Sequence, residues 1–324
     1  MVAVPSVSLT RSSATSGGAV SQHRNWLEHA GPLLNQANGF DVIDCQRCQF
    51  THVVPLPQQD QLEQIYRTEY YTTVKPTYFE RTAEDLEWWN AVYDEWYAEF
   101  ERHLSSDRRR ILDVGSGPGF FLRRGTERGW TIQGIEPSKQ AAAHARSLGL
   151  EVIIDFLTAD TAKQLGGFDV VHLHEVLEHL PSPVETLRLA HGLLNPGGLL
   201  SVVVPNDYNP LQALVQQQRN GAPWWVVPPH HLNYFSGKSL ARLVRKAQFA
   251  VLRRTTTFPL ELFLLMGEDY VGDDTVGRSI HGKRKRLELA LCAGPLQSAK
   301  RRIYAALARL GIGREVVLLA RRAA

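Results

Sequence analysis

Asp113-Val114-Gly115-Ser116-Gly117-Pro118-Gly119 sets an acid against a run of glycines, and a second acid, Glu136, follows 23 residues beyond Asp113. Glycines let the backbone turn sharply and admit a ligand to main-chain amides without a Cβ in the way. The spacing is Gly-x-Gly-x-Gly, not the Gly-x-Gly-x-x-Gly of dinucleotide sites, and Phe120 fills the place where those sites need a small residue. A carboxylate at the lip of the loop repels a pyrophosphate but attracts a ligand bearing an ammonium and a sulfonium. Glu136 stands near the ~20-residue offset at which an acid takes ribose hydroxyls in such folds. A plain glycine turn explains the bend but not the two acids. The chemistry implied is the binding of a cationic nucleoside.

Proton transfer is the second chemistry in view, and histidine suits it near neutrality. The strongest cluster is Pro228-Pro229-His230-His231-Leu232-Asn233-Tyr234-Phe235-Ser236. His231 is the leading base or substrate-orienting group, with His230 and Tyr234 behind it; a capping or packing role is the equal alternative. Glu175, Glu178 and His179 invite a metal reading, but Pro181 ends any helix there and no third ligand is evident nearby. Capping and hydrogen bonding are expected instead. Cys45-Gln46-Arg47-Cys48, with His52 after it, is half of a zinc-ribbon pattern. Structural zinc wants four ligands, and only His23 and His29 stand upstream, so a metal-free packed remnant is the expectation and no metal site is assigned.

These groups need a scaffold that brings strand ends together. Arg110–Val114, Thr131–Glu136, Glu151–Asp155, Phe168–Leu173 and Leu199–Val204 read as strands. Between them lie helical patterns from Phe120 to Arg128, after the cap Ser138, and from Val184 to Leu194. Apolar, β-branched strands alternating with helices predict an α/β fold: a Rossmann-like, doubly wound, mostly parallel sheet with helices on both faces. In such a sheet the His230–His231 segment opens over the carboxyl ends of the strands, where ligands bind. Around this domain, residues 108–256, we expect a disordered tail (1–22), a Cys-bearing and aromatic, largely helical cap region (23–107) and a basic, mainly helical extension (257–324) with late strand character at Val316–Ala320. Trp88, Trp89 and Trp96 fall at helical spacing and read as packing.

Taken in sequence, Ile111–Gly119, Gly134–Ser138, Phe168–Val171 through Val176–His179, Asn195–Gly198 and Pro205-Asn206 resemble the motifs of class I S-adenosylmethionine-dependent methyltransferases. The likeness covers roughly residues 108–256 and is greatest to the ubiquinone-type and sugar-modifying branch, many of whose members carry two Cys pairs ahead of the catalytic domain. It implies S-adenosylmethionine as cofactor, with Gly115 and Gly117 lining it within the loop that Gly119 completes. Asp113 would hold its amino-acid end and Glu136 its ribose, with Asp155 and Phe156 beside the adenine and His174 and Glu175 closing the pocket. The His231-Leu232-x-Tyr234-Phe235 segment resembles that of sugar-type members, and Tyr70-Tyr71 with Tyr78-Phe79 resembles a lid or acceptor platform. A small-molecule or glycan acceptor follows, possibly a sugar nucleotide or surface polysaccharide.

Composition narrows the alternatives. Charged residues are 21% of the chain and the net charge is +3, modest for nucleic-acid binding. His174-Glu175-Val176-Leu177 also lacks the Asn-Pro-Pro-Tyr pattern that holds a flipped base. Three cysteines make no disulfide framework, which suits a reducing, cytoplasmic setting. The first twenty residues make a poor signal peptide, and no run approaches the ~20 apolar residues of a membrane span. From His281 onward basic residues far outnumber Glu288 and Glu315. That end could meet an anionic acceptor, an acidic partner or a membrane surface peripherally. The bland reading is a solvated face over a buried stripe of Leu287, Leu291, Ile303, Leu307 and Leu310. A non-catalytic cofactor-binding module with a basic partner-binding end, a nucleic-acid methyltransferase and a nicotinamide oxidoreductase are the rival functions. Oligomeric state is not legible.

Overall fold

The structure is a computed structural model that describes residues 28–219, 221–292 and 295–323. The expected tail and His23 lie outside the described residues. The strands are β1 (Leu33–Ala37), β2 (Phe40–Cys45), β3 (Phe50–Val54), β4 (Arg110–Val114), β5 (Thr131–Ile135), β6 (Val152–Ile153), β7 (Phe168–His174), β8 (Leu194–Pro205), β9 (Asn233–Tyr234), β10 (Phe249–Thr256) and β11 (Glu315–Arg322).

Seven of them form one sheet in the order β10-β11-β8-β7-β4-β5-β6. The pairings from β6 across to β8 are parallel, as alternation of strand and helix predicts. Ile111, Leu112, Val170, Val171, Leu199 and Leu200 are fully buried, since helices cover both faces. Local signals set the helix ends. Ser138 accepts from the Ala141 amide to start helix Lys139–Ser147, and Ser236 caps helix Gly237–Lys246. Gly149, at φ 78°, takes the left-handed turn that closes the first of these.

Three expectations need correction. First, β11 lies antiparallel between β8 and β10, so the sheet crosses the expected boundary at residues 256 and 257. The late strand at Val316–Ala320 is a member of the main sheet, which its alternating buried pattern cannot reveal alone. Second, the region of residues 23–107 begins as a sheet. The meander β1-β2-β3 is joined by β9 from beyond the fifth parallel strand. Asn38-Gly39, both at positive φ, form its first hairpin turn, the signal that reading missed. Helical character does follow, in a π-helix at Ile65–Val74 and in helices Tyr78–Glu84 and Leu86–His103, where Trp88, Tyr93, Tyr97 and Phe100 are buried.

Third, the basic C-terminal helices, Asp274–Cys292 and Gln297–Arg309, face the other way round. Leu287, Ile303 and Leu310 are 45%, 54% and 66% exposed, while Arg284, Glu288 and Lys300 are buried. Glu288 accepts from the Trp88 indole, the Arg284 guanidinium and the Tyr304 hydroxyl, at 2.9, 2.9 and 3.0 Å. A buried charge is tolerated only when so paired. No helix among the described residues is long and apolar enough to cross a membrane.

Candidate active site

The carboxyl ends of β4, β5 and β7 open into one cavity, walled by Asp113, Gly115, Gly117, Glu136, Asp155, Phe156, His174 and Glu175. Every residue expected to hold cofactor is therefore brought together except Gly119. A Cβ there would lie 2.6 Å from Leu150 and 2.8 Å from Ala145, so Gly119 serves the packing of the loop on helix Lys139–Ser147. Gly115 is held at φ 72°, and its amide and that of Ser116 donate to the carbonyl of Ile135, tying the loop to β5.

The two acids differ in their surroundings. Glu136 is buried and accepts from the amides of Gly117 and Ser138, both at 2.8 Å. Burial raises its pKa to about 7 against the pull of those two amides. Asp113 is only 4% exposed, and its carboxylate makes no hydrogen bond to another described residue. Burial first, and then Glu136, push it well above the usual carboxylate range. Two buried acids without a cation between them are the counter-charge for a positively charged ligand, so the residues present fit the cationic nucleoside.

Tyrosines form the opposite wall. Tyr66, Tyr70, Tyr71, Tyr78 and Tyr93 all line the cavity, and a Cβ on Gly117 would come within 3.1 Å of the Tyr71 hydroxyl. The π-helix thus lies directly over the glycine loop. Lys75 sets its ammonium over the rings of Tyr70 and Tyr78, at 5.4 and 5.7 Å. Burial opposes ionisation of Glu175, but Lys75 and then His174 and His179 outweigh it and hold its pKa down. At the Asp155 end of the cavity Arg67 pairs with Asp155 at 2.8 Å and lies 4.8 Å over the Phe156 ring.

The expected catalytic trio sits behind this wall. His230, His231 and Tyr234 are absent from the cavity lining; Tyr234 is buried in β9 with its hydroxyl on the His231 carbonyl at 3.2 Å. His179 does reach the cavity, which His172 and His174 also line. Its Nδ1 donates to the His230 carbonyl at 2.6 Å, which leaves Nε2 as the acceptor. Burial brings its pKa down to about 4 despite that bond. Glu178, with both oxygens buried and unpartnered, approaches Nε2 at 3.7 Å, and the His231 ring is 5.0 Å from that of His179. His231 is the third ligand that sequence proximity could not supply. Glu178, His179 and His231 bring ligand atoms within 4.8 Å of one another, a set able to hold either a proton or a divalent cation.

A second donor cluster lies in the small sheet. His29, Cys45, Cys48 and His52 converge within the same limit, with His29 Nδ1 3.0 Å from His52 Nε2 and 3.5 and 3.4 Å from the two sulfurs. Two thiols and two imidazoles are the donor set of tetrahedral structural zinc. Of the two upstream histidines, His29 completes the quartet. His52 pairs with Asn233 across β3 and β9, so this cluster braces the segment carrying His231.

Residues 86–254, just over half of the chain, match the family described as methyltransferase domain. The ubiquinone biosynthesis O-methyltransferase of Caulobacter sp. strain K31 is 37% identical over 128 residues, which are 38% of this chain and 51% of that relative. The protein of that name from Pseudomonas aeruginosa strain LESB58 is 37% identical over 97 residues, 28% of this chain and 41% of its own. The chain thus spans about half the length of the curated relatives it matches. Among solved structures, a methyltransferase of Archaeoglobus fulgidus aligns over 75% of this chain and 99% of its own, at 17% identity and TM-score 0.49. On the family match and the motifs that line the cavity, this chain belongs to the methyltransferase-domain family, of the S-adenosylmethionine-dependent kind.

Proposed function

We propose that this protein methylates a hydroxyl group of a small aromatic acceptor, with S-adenosylmethionine as methyl donor. The observation that carries the reading is the acid pair, Asp113 and Glu136, with no cation paired to either among the described residues, flanking the glycine bend in a cavity also lined by tyrosines. When bound, the cofactor supplies an activated methyl group on a sulfonium. Asp113 meets its ammonium and Glu136 its ribose, while Phe156, backed by Arg67, gives the adenine an apolar contact. The tyrosine wall orients a planar acceptor and keeps water out.

An acceptor hydroxyl must lose its proton. His179 receives it at Nε2, because Nδ1 is committed to the His230 carbonyl and the ring is neutral at physiological pH. Glu178 Oε1 lies 3.7 Å from that nitrogen, and burial, then Glu175, hold its pKa well above the usual carboxylate range until a cation forms beside it. His231 acts from behind, fixing the position of His179. The relatives' name, ubiquinone biosynthesis O-methyltransferase, supports O-methylation of a ubiquinone-related acceptor. It gives no support to the glycan or sugar-nucleotide acceptor expected from sequence, and the tyrosine wall adds none specific to sugars.

Transfer of labelled methyl to a simple catechol, 3,4-dihydroxybenzoate, tests the reaction class, with a free sugar and a sugar nucleotide run beside it. Methylation of the catechol alone is expected; methylation of the sugars alone overturns the acceptor class. His179→Ala should lower kcat by about 10²- to 10⁴-fold. Its affinity for S-adenosylhomocysteine should stay within about twofold, because His179 is placed toward the acceptor. Loss confined to KM would remove His179 as the base.

A further inference from the structure

A second cavity, of about 430 Å³, lies between helix Leu86–His103, the two C-terminal helices and strands β10 and β11. The C-terminal helices and β11 fall outside the family-matched residues 86–254. The walls carry two chemistries. Trp88, Trp89, Trp96 and Tyr304 contribute aromatic rings to the lining, and Arg102, Arg253 and Arg301 contribute guanidinia.

The arginines outnumber the acids free to serve them. One oxygen of Glu99, Oε2, accepts from both Arg102 Nη1 and Arg253 Nη1, the latter at 2.5 Å. Arg301 makes no ion pair or hydrogen bond among the described residues. Of the other acids in the lining, Asp94 pairs with Arg124 and Arg128, Glu95 with Lys300 at 3.1 Å, and Glu288 with Arg284, Trp88 and Tyr304; Glu315 makes no ion pair with any of the three arginines among the described residues. Arg102, Arg253 and Arg301 line the same cavity, and burial, followed by Arg301, disfavours the charge on the first two, which Glu95 partly restores. Forked donors converging beside an aromatic wall are how proteins hold phosphate or carboxylate groups on apolar bodies.

We propose that this cleft binds a small molecule with an oxyanion head on an aromatic or apolar body. The head sits among Arg102, Arg253 and Arg301, and the body lies against the indoles. The site is distinct from the cofactor cavity, although Trp89 and Trp96 pack on His174 at ring distances of 5.8 and 5.1 Å and so form a shared wall.

Calorimetric titration of the full chain with phenyl phosphate, benzoate and inorganic phosphate tests this, with and without saturating S-adenosylhomocysteine. Saturable binding of one aromatic anion, tighter than inorganic phosphate and unchanged by S-adenosylhomocysteine, is expected. A preference for phenyl phosphate identifies a phosphate head; a preference for benzoate identifies a carboxylate. Arg301→Glu should weaken binding by about tenfold or more, as should Arg301→Gln if the charge reversal disturbs folding. Absence of saturable binding by either aromatic anion, displacement by S-adenosylhomocysteine, or unaltered affinity in a folded Arg301 variant would overturn the assignment.

Discussion

The cofactor cavity and the arginine cleft stand back to back across Trp89 and Trp96, and they are electrostatic opposites. One gathers Asp113, Glu136 and Glu175, with no cation paired to the first two among the described residues; the other gathers Arg102 and Arg253 on one shared carboxylate, with Arg301 in the same lining. The acidic cavity is built by strand ends within residues 86–254, the segment common to the family. The basic cleft depends on two helices and a strand added after it. A family scaffold thus carries the cofactor chemistry, while the additions around it are free to acquire another ligand.

The additions include the small sheet, and there the largest effect is expected. If its four donors hold zinc, purified protein should contain about one zinc per chain. Chelation or Cys45→Ser should then destabilise the small sheet by about 3–5 kcal/mol, on the scale of losing a structural cross-link or ligand. Hydrogen exchange would show β1–β3 and β9 opening while β4–β8 stay protected. Metal-free protein with unaltered protection would reject zinc.

Next comes the acid pair. Asp113→Asn should weaken S-adenosylmethionine binding by about 100-fold while leaving the ligand-free protein as stable or more stable, because it removes a buried acid whose ionisation the empty cavity disfavours. Thermal melting and calorimetry read these opposite signs, and a parallel fall in both would make Asp113 a structural residue. Smallest is the coupling across the shared wall. Arg301→Glu should change S-adenosylhomocysteine affinity by less than about twofold. A larger change would mean that the two cavities act as one.

What sequence could reveal follows the same division. Asp113, the glycines and Glu136 are legible because strand-end residues of consecutive β–α units are neighbours in space as well as in order. The tyrosine wall was legible only through family likeness. His179 was passed over in favour of His231 because their contact joins residues 52 positions apart through the 3₁₀ turn Leu177–His179 and the segment before β9. The cleft joins positions 102, 253 and 301, and no local pattern announces it. Apolar periodicity also misled. In the C-terminal helices Leu287 and Ile303 face outward and the ion pairs inward, an arrangement that needs Trp88, Glu95 and Tyr304 as partners.

The cavity's buried acids favour a cationic nucleoside over a phosphate-bearing one. Glu136 is raised to about 7 in the empty cavity, so the ligand-free fold loses stability as pH rises from about 4.5 to 7, where the unfolded chain has already released its proton. Ligand binding needs the ionised form and expels that proton. The direct test is equilibrium binding of S-adenosylmethionine and NAD, measured side by side from about pH 6 to 8. Saturable S-adenosylmethionine binding that weakens by up to about tenfold per pH unit below 7, with NAD not bound, is the predicted result. NAD binding in its place, or S-adenosylmethionine affinity indifferent to pH, would contradict the account.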